Sequence, residues 1–363
     1  MIEIEDLRID FALDGGGTHT AVSDVSLSIA AGEFFTLLGP SGCGKTSTLR
    51  CVAGLERPAR GRIRIDDVLV FDSEKGIDVP THKRALSMVF QSYAIWPHLT
   101  VAENVAFPLE VGKVPAAERG RRVHDVLDLV GLAGSGDRSA TQLSGGQQQR
   151  VAVARGIVRG SPVVLLDEPL SNLDAKLREQ MRVELRELLK RVGVTALYVT
   201  HDQEEALTLS DRIAVMDGGC VVEVGAPADL YLRPATRFAA AFLGQAELFD
   251  IRRCAERPDG HDVETEIGTL HVGNGGRPGT GATHVMIRPE AIRLHRGAAP
   301  GMNVAAGRVR SATFAGRHIA YVVRLPSGRD VSVLALPYDP FAVGDEVAVE
   351  FPPERLACVG DAR

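Results

Sequence analysis

The sequence predicts an α/β domain built on a parallel sheet, followed by a small all-β domain. Three observations carry that expectation. A glycine-rich loop stands between an apolar strand and a helix, further apolar strands end on polar residues, and helical periodicity gives way to short β-like stretches near residue 238. A chain of 363 residues is also longer than one ordinary core organises, which favours two domains, 1–240 and 241–363.

Taken in order, Ile2, Ile4 and Leu7 begin an edge-like strand, and Val25, Leu27 and Ile29 alternate with Asp24, Ser26 and Ser28 as in a half-exposed strand. Gly15, Gly16 and Gly17 mark the turn between them. The run Phe34, Phe35, Thr36, Leu37 and Leu38 reads as a buried parallel strand, and residues 47–53 are compatible with a helix. Between them, Gly39, Pro40, Ser41, Gly42, Cys43, Gly44, Lys45 and Thr46 fill every fixed place of the pattern Gly, four residues, Gly, Lys, Ser/Thr, and Ser47 is grouped with them. Glycines let the backbone wrap a phosphate and aim its N–H groups inward, and the N-terminus of the following helix adds partial positive charge. Lys45 is expected to reach the β- and γ-phosphates of a nucleotide, and the Thr46 hydroxyl to ligate magnesium.

Residues 61–66 alternate as a strand, so the first segment mixes antiparallel strands with the parallel core. Residues 87–91 form another apolar strand ending on the amide of Gln91. The stretch 92–100 that follows is rich in aromatic residues and proline and holds Trp96, the only tryptophan. Two readings of it stand side by side: a surface that docks a partner, and a loop folded onto its own core. Pro115 opens a helix with Val123, Val126, Leu127 and Val130 on one face and Gly131 placed to stop it.

Ser144, Gly145 and Gly146 stand at the head of the helical pattern Val151, Ala154, Ile157 and Val158, a serine cap with bare backbone amides that reads either as an ordinary N-cap, the stronger reading in isolation, or as a second anion-binding helix start. Val163, Val164, Leu165 and Leu166 form a buried strand that closes on Asp167 and Glu168. Carboxylates there lie where ligands of α/β sheets bind. Asp167 is expected to hold magnesium through its water shell, and Glu168 to polarise the attacking water as general base. Leu177, Met181, Leu185, Leu188 and Leu189 line one face of a helix, read as core packing. The strand 195–200 ends on His201, so Gln91, Asp167 and His201 all close core strands and are expected to converge on one γ-phosphate.

The set formed by residues 39–46, Gln91, residues 143–147, 163–168 and 171–174, and His201, in that order, resembles the ATPase subunit of an ABC transporter over the first two-thirds of the chain. The resemblance implies an ABC-type P-loop NTPase fold with a helical subdomain at about 92–160. It implies ATP and Mg2+ as cofactors, and a head-to-tail pair of chains in which Ser144, Gly145, Gly146 and Gln147 contact the γ-phosphate held by Lys45 of the other copy. Gln91 then bridges magnesium and the attacking water, His201 holds the γ-phosphate in reactive geometry, and Asp174 helps join the two sites. Residues 92–100 are implied to meet the coupling helix of a membrane permease, with a solute-binding protein as an indirect partner. One departure stands out: where the family stacks adenine on an aromatic residue, this chain has Asp14, Gly15, Gly16, Gly17, Thr18 and His19, leaving Phe11 or His19 for the contact.

The second domain resembles the small TOBE-like β-domain of importer ATPases, an OB-type barrel that regulates or braces the dimer. Its expected strands lie at 283–290, 307–310, 318–325, 330–333 and 346–351. Hydrophobic content of 45%, charged content of 24% and a net charge of -6 match a soluble globular protein and argue against nucleic acid as the main partner. Five cysteines without a CxxC pair fit reduced thiols, and the acidic start is unlike a secretion signal. No apolar run approaches the roughly 18 residues a bilayer span needs. The expected place is therefore peripheral, at the cytoplasmic face of the inner membrane. The expected function is ATP-driven import, of polyamine or ferric iron before aminophosphonate or sugar. The alternative is a soluble ABC-type ATPase uncoupled from transport, disfavoured because the chain shows neither an internal repeat nor heptads.

Overall fold

Strands β1 (Ile2–Ala12) and β2 (Thr18–Ile29) pair antiparallel, with Ile2, Ile4, Leu7 and Ile9 and their counterparts Val22, Val25, Leu27 and Ile29 all buried. The computed structural model describes residues 1–13, 16–276 and 281–361, so Asp14 and Gly15 of the expected glycine turn lie outside the described residues. The chain continues through β3 (Phe34–Leu38), α1 (Lys45–Ala53), β4 (Arg60–Ile65), β5 (Val68–Asp72), β6 (Ile77–Asp78) and β7 (Leu86–Val89). Three helices follow, α2 (Val101–Val111), α3 (Ala116–Leu129) and α4 (Gly145–Ile157), inside the stretch expected to be helical. Then come β8 (Val163–Asp167), α5 (Ala175–Val192), β9 (Thr195–Thr200), α6 (Gln203–Leu209), β10 (Arg212–Asp217) and β11 (Cys220–Gly225).

Two sheets result. One is antiparallel, in the order β2-β1-β4-β5-β6; the other runs β11-β10-β3-β9-β8-β7, parallel except for the edge strand β11. The inner parallel strands lack polar alternation because both faces are covered. Phe34, Val164, Leu166, Ala196 and Tyr198 pack with the helices, and their alternates Phe35, Leu37, Val163, Leu165, Leu197 and Val199 pack with the antiparallel sheet and α1. Each buried valine, leucine or phenylalanine among them contributes about 1.5–3 kcal/mol relative to exposure. The parallel register sets Leu38 beside Thr200 and Asp167 beside Val199, so the carboxyl ends of β3, β8 and β9 open on one edge.

These elements form one unit, Met1–Pro227; the second is Ala228–Arg363. This division falls before the 240/241 boundary expected from composition. The reason is chemical: α7 (Pro227–Leu232) and α8 (Arg237–Phe242) read as a helical tail of the first domain, yet the buried Arg288 guanidinium donates to the carbonyls of Tyr231, Ala240 and Gln245. Ala240 also packs with Met286, Ala357 and Val359. The remainder of the second unit is all β: β12 (Glu247–Asp250), β13 (Arg253–Arg257), β14 (Gly260–Thr265), β15 (Gly268–Gly273), β16 (Ala282–Ile287), β17 (Arg293–His295), β18 (Val304–Phe314), β19 (Ile319–Arg324), β20 (Asp330–Ala335), β21 (Glu346–Glu350) and β22 (Ala357–Gly360). They pair as three antiparallel sheets around one apolar core, a half-barrel whose largest sheet runs β17-β21-β18-β19-β20. No helix among the described residues is long and apolar enough to cross a membrane.

Candidate functional site

The loop between β3 and α1 is shaped by two constraints on its glycines. Gly42 and Gly44 take φ of 81° and 96°, in the left-handed region that side chains resist. At Gly44 an added Cβ would lie 2.6 Å from the Ala21 carbonyl oxygen, and at Gly39 2.2 Å from that of Met216. The loop is therefore wedged between β2 and β10, with Cys43 turned into the core and its thiol pushed up by burial. Lys45 is 5% exposed; its Nζ donates to the carbonyls of Gly39 (2.7 Å) and Pro40 (2.8 Å), and among the described residues no carboxylate pairs with it. The first turn of α1 carries no acidic residue, and Gly44 makes no side-chain cap. Free amides at a helix start beside an unneutralised lysine make a cradle for a polyphosphate.

Across the sheet edge, Thr46 Oγ1 lies 3.3 Å from Asp167 Oδ1, which joins α1 to the end of β8. Asp167 is buried, and burial pushes its carboxyl above the usual carboxylate range against the opposing pull of Thr46. Two hard oxygen donors, one of them a desolvated carboxylate, fit a magnesium ion. Glu168 adopts φ of 44°, a strained conformation for a residue with a side chain, and its N–H donates to the Val199 carbonyl of β9. That twist aims its carboxylate at the strand ends, where Oε2 lies 3.1 Å from His201 Nδ1. Gln91 lies past the end of β7, exposed, and its carbonyl accepts from Asn172 Nδ2 at 2.8 Å.

Ser144 N-caps α4 in a reciprocal capping box with Gln147, at 3.4 and 3.1 Å. Gly146 is buried, with Leu177 atoms 3.0 Å from where its Cβ would stand, while Gly145 meets only Leu173 at 3.5 Å. Among the described residues no hydrogen bond joins residues 144–147 to 39–47. Asp174 spends Oδ1 on the Leu177 N–H as the N-cap of α5.

In the stretch 92–100, Trp96 is half-buried and packs on Phe107 of α2, with ring centroids 4.4 Å apart, while Ala94, Pro97 and His98 are exposed. Buried Asn104 fixes the loop by accepting from Trp96 N–H and donating to the Trp96 and Thr100 carbonyls. One ring of this loop is thus folded inward, and the residues beside it face outward. Phe11 and His19 are direct cross-strand partners at the β1–β2 hairpin end, both exposed, on the strand pair whose Ala21 abuts the phosphate loop. The contact of Asn172 with a backbone carbonyl and the role of Arg155, described below, are not readable from the sequence; a polar residue bonded to main chain leaves no pattern of side-chain types to read.

Residues 22–171 match the ABC transporter family and residues 285–359 the TOBE domain. The spermidine/putrescine import ATP-binding protein PotA of Rubrobacter xylanophilus is 49% identical over 86% of this chain and 81% of its own length. The chain belongs to the ABC transporter family. It is an ATP-binding ATPase and contains a TOBE domain. The Fe(3+) ions import ATP-binding protein FbpC of Agrobacterium fabrum is 47% identical over 86% of each chain. The trehalose/maltose import ATP-binding protein MalK of Thermococcus litoralis is 57% identical over 63% of this chain and 61% of its own length. Among solved structures, the post-hydrolysis dimer of the ATP-binding cassette MJ0796 with ADP and Pi aligns at TM-score 0.53 and 31% identity, covering 62% of this chain and 99% of that one.

Proposed function

We propose that this chain is the ATP-hydrolysing subunit of a membrane import complex, acting at the cytoplasmic face as a head-to-tail pair. The observation that carries the reading is the strand-end constellation: Glu168 in a left-handed backbone beside His201, with Asp167 and Thr46 next to it. Lys45 leaves its two carbonyl acceptors to take the β- and γ-phosphates, and the amides of residues 42–47 wrap the chain of phosphates. Thr46, Asp167 and Gln91 are the residues that would hold Mg2+, which supplies charge neutralisation to the phosphates when bound. Glu168 accepts the proton of the attacking water; His201, on its carboxylate, orients it and donates toward the γ-phosphate. Residues 144–147 of the second copy close the site, with Asp174 between the two sites, and Phe11 or His19 flanks the adenine. The bond between Asn172 and the Gln91 carbonyl links the hydrolytic turn to residues 92–100, which we assign to the permease contact; a solute-binding protein acts through the permease.

For cargo we propose a polyamine or ferric iron, ahead of aminophosphonate or sugar, on the likeness to PotA and FbpC over most of the chain. The test is uptake of labelled spermidine, putrescine, ferric iron, an aminophosphonate and a disaccharide by source cells carrying the unchanged chain or Glu168→Gln. Loss of one solute names the cargo. Unchanged uptake of all, with redundant transporters deleted, overturns import and favours a soluble ATPase.

A further inference from the structure

Arg155 places a charge on a helix whose neighbours Val151, Ala152, Val153, Ala154, Ile157 and Val158 are buried. No carboxylate pairs with it among the described residues; it is held by main chain and by a ring. Its Nη1 donates to the Ala94 carbonyl at 2.7 Å and its Nη2 to the Tyr93 carbonyl at 2.6 Å. The guanidinium also lies over the Trp96 indole, 4.6 Å from the ring centroid, with Phe107 packed on the same ring. The segment it grips is strained. Tyr93 and Ala94 are consecutive left-handed residues with φ of 59° and 46°, and the Tyr93 hydroxyl is buried without a hydrogen-bond partner. Non-glycine residues keep such a backbone only where the surroundings impose it, and a buried unpaired hydroxyl favours any movement that returns it to water.

At its other end the same loop is tied to the hydrolytic turn, because Asn172 holds the Gln91 carbonyl while Ser171 Oγ donates to the Glu168 carbonyl at 2.9 Å. The loop therefore spans two elements, the turn carrying the general base and the helix capped by Ser144, and it is sprung between them. We infer that Arg155 is the positioning residue that latches residues 93–96 onto the helix capped by Ser144, so that displacement of that helix on nucleotide binding is delivered to Trp96, Pro97 and His98. The latch deepens the proposed function, since it rests on that reading for what lies beyond Trp96. The grip itself rests on the two carbonyl bonds and the ring.

Trp96, being the only tryptophan, reports the latch directly in the purified full-length chain. Removing two hydrogen bonds from a charged donor shifts the held-to-released ratio of the loop by about a hundredfold or more. Arg155→Ala is therefore expected to raise acrylamide quenching of Trp96, shift its emission to the red and abolish the emission change that MgATP causes in the unchanged chain. Arg155→Lys keeps the charge but not the fork that reaches two carbonyls, and should fall between. It also carries the test if Arg155→Ala does not fold by circular dichroism. Quenching and MgATP response equal to those of the unchanged chain, in either folded variant, overturn the latch. The two proposals fail separately. If Trp96 is released but uptake ignores Glu168→Gln, import falls and the latch stands; if uptake needs Glu168 while Trp96 stays as shielded as before, the latch falls alone.

Discussion

Gly44→Ala probes the shaping of the phosphate loop, with Gly42→Ala as its internal control. Both glycines have left-handed φ, but an added Cβ at Gly42 meets nothing within 4 Å, whereas at Gly44 it would stand 2.6 Å from the Ala21 oxygen and 2.7 Å from Val22 Cγ2. The left-handed backbone costs an alanine about 1–2 kcal/mol at either position. Overlap with a backbone oxygen in a paired strand, which cannot swing aside, adds about 1–3 kcal/mol at Gly44 alone. Gly44→Ala should then lose about 2–5 kcal/mol and Gly42→Ala about 1–2 kcal/mol. Urea unfolding followed by Trp96 emission measures this without nucleotide and in the first unit only, where the single tryptophan resides. Losses within about 0.5 kcal/mol of each other would refute the wedge against β2.

Two other outcomes follow from buried groups. Burial lifts the Glu205 carboxyl above its ordinary 4.5, although the Tyr198 and Thr200 hydroxyls both donate to it. The folded state then binds a proton that the unfolded chain releases, so this group's contribution falls as pH rises from about 4.5 through the folded value. Glu205→Gln should flatten that slope in urea unfolding measured between about pH 4 and 7; an unaltered slope contradicts the assignment. Thiol reactivity should divide by burial: Cys220 and Cys254 are exposed and react first with a disulfide reagent, while Cys43, Cys51 and Cys358 stay protected. Burial pushes the Cys51 and Cys358 thiols up to about 12, so thiolate is scarce at neutral pH. Mass spectrometry of the labelled peptides checks the order, and early labelling of Cys51 would contradict it.

The strand-end edge that carries the candidate site was legible because its residues sit where strands end, and strands of unbroken apolar residues announce themselves. The loop of residues 39–46 is contiguous, and Asp167 with Glu168 closes β8, so register alone brings them together. What escaped reading is interaction with main chain. Asn172 and Arg155 bind carbonyls 81 and about 61 residues away, and carbonyls are identical at every position. The division at 227/228 also rests on main chain: Arg288 binds the carbonyls of a helical segment whose composition matches what precedes it. The place of Trp96, folded inward beside exposed neighbours, depends on Phe107 and Asn104 in the next helix, which periodicity alone does not orient.

We propose that each ATP site is completed by Ser144 and its neighbours from a second copy. It is tested by phosphate release from a mixture of two defective chains, Lys45→Ala and Ser144→Arg. Each alone should be nearly inactive. In an equimolar mixture half of the pairs are mixed, and each mixed pair holds one site with both parts intact, so the rate should recover to as much as about a quarter of the unaltered chain's. Absence of recovery, with mixed pairs shown by crosslinking, would mean that each chain hydrolyses ATP with its own residues alone.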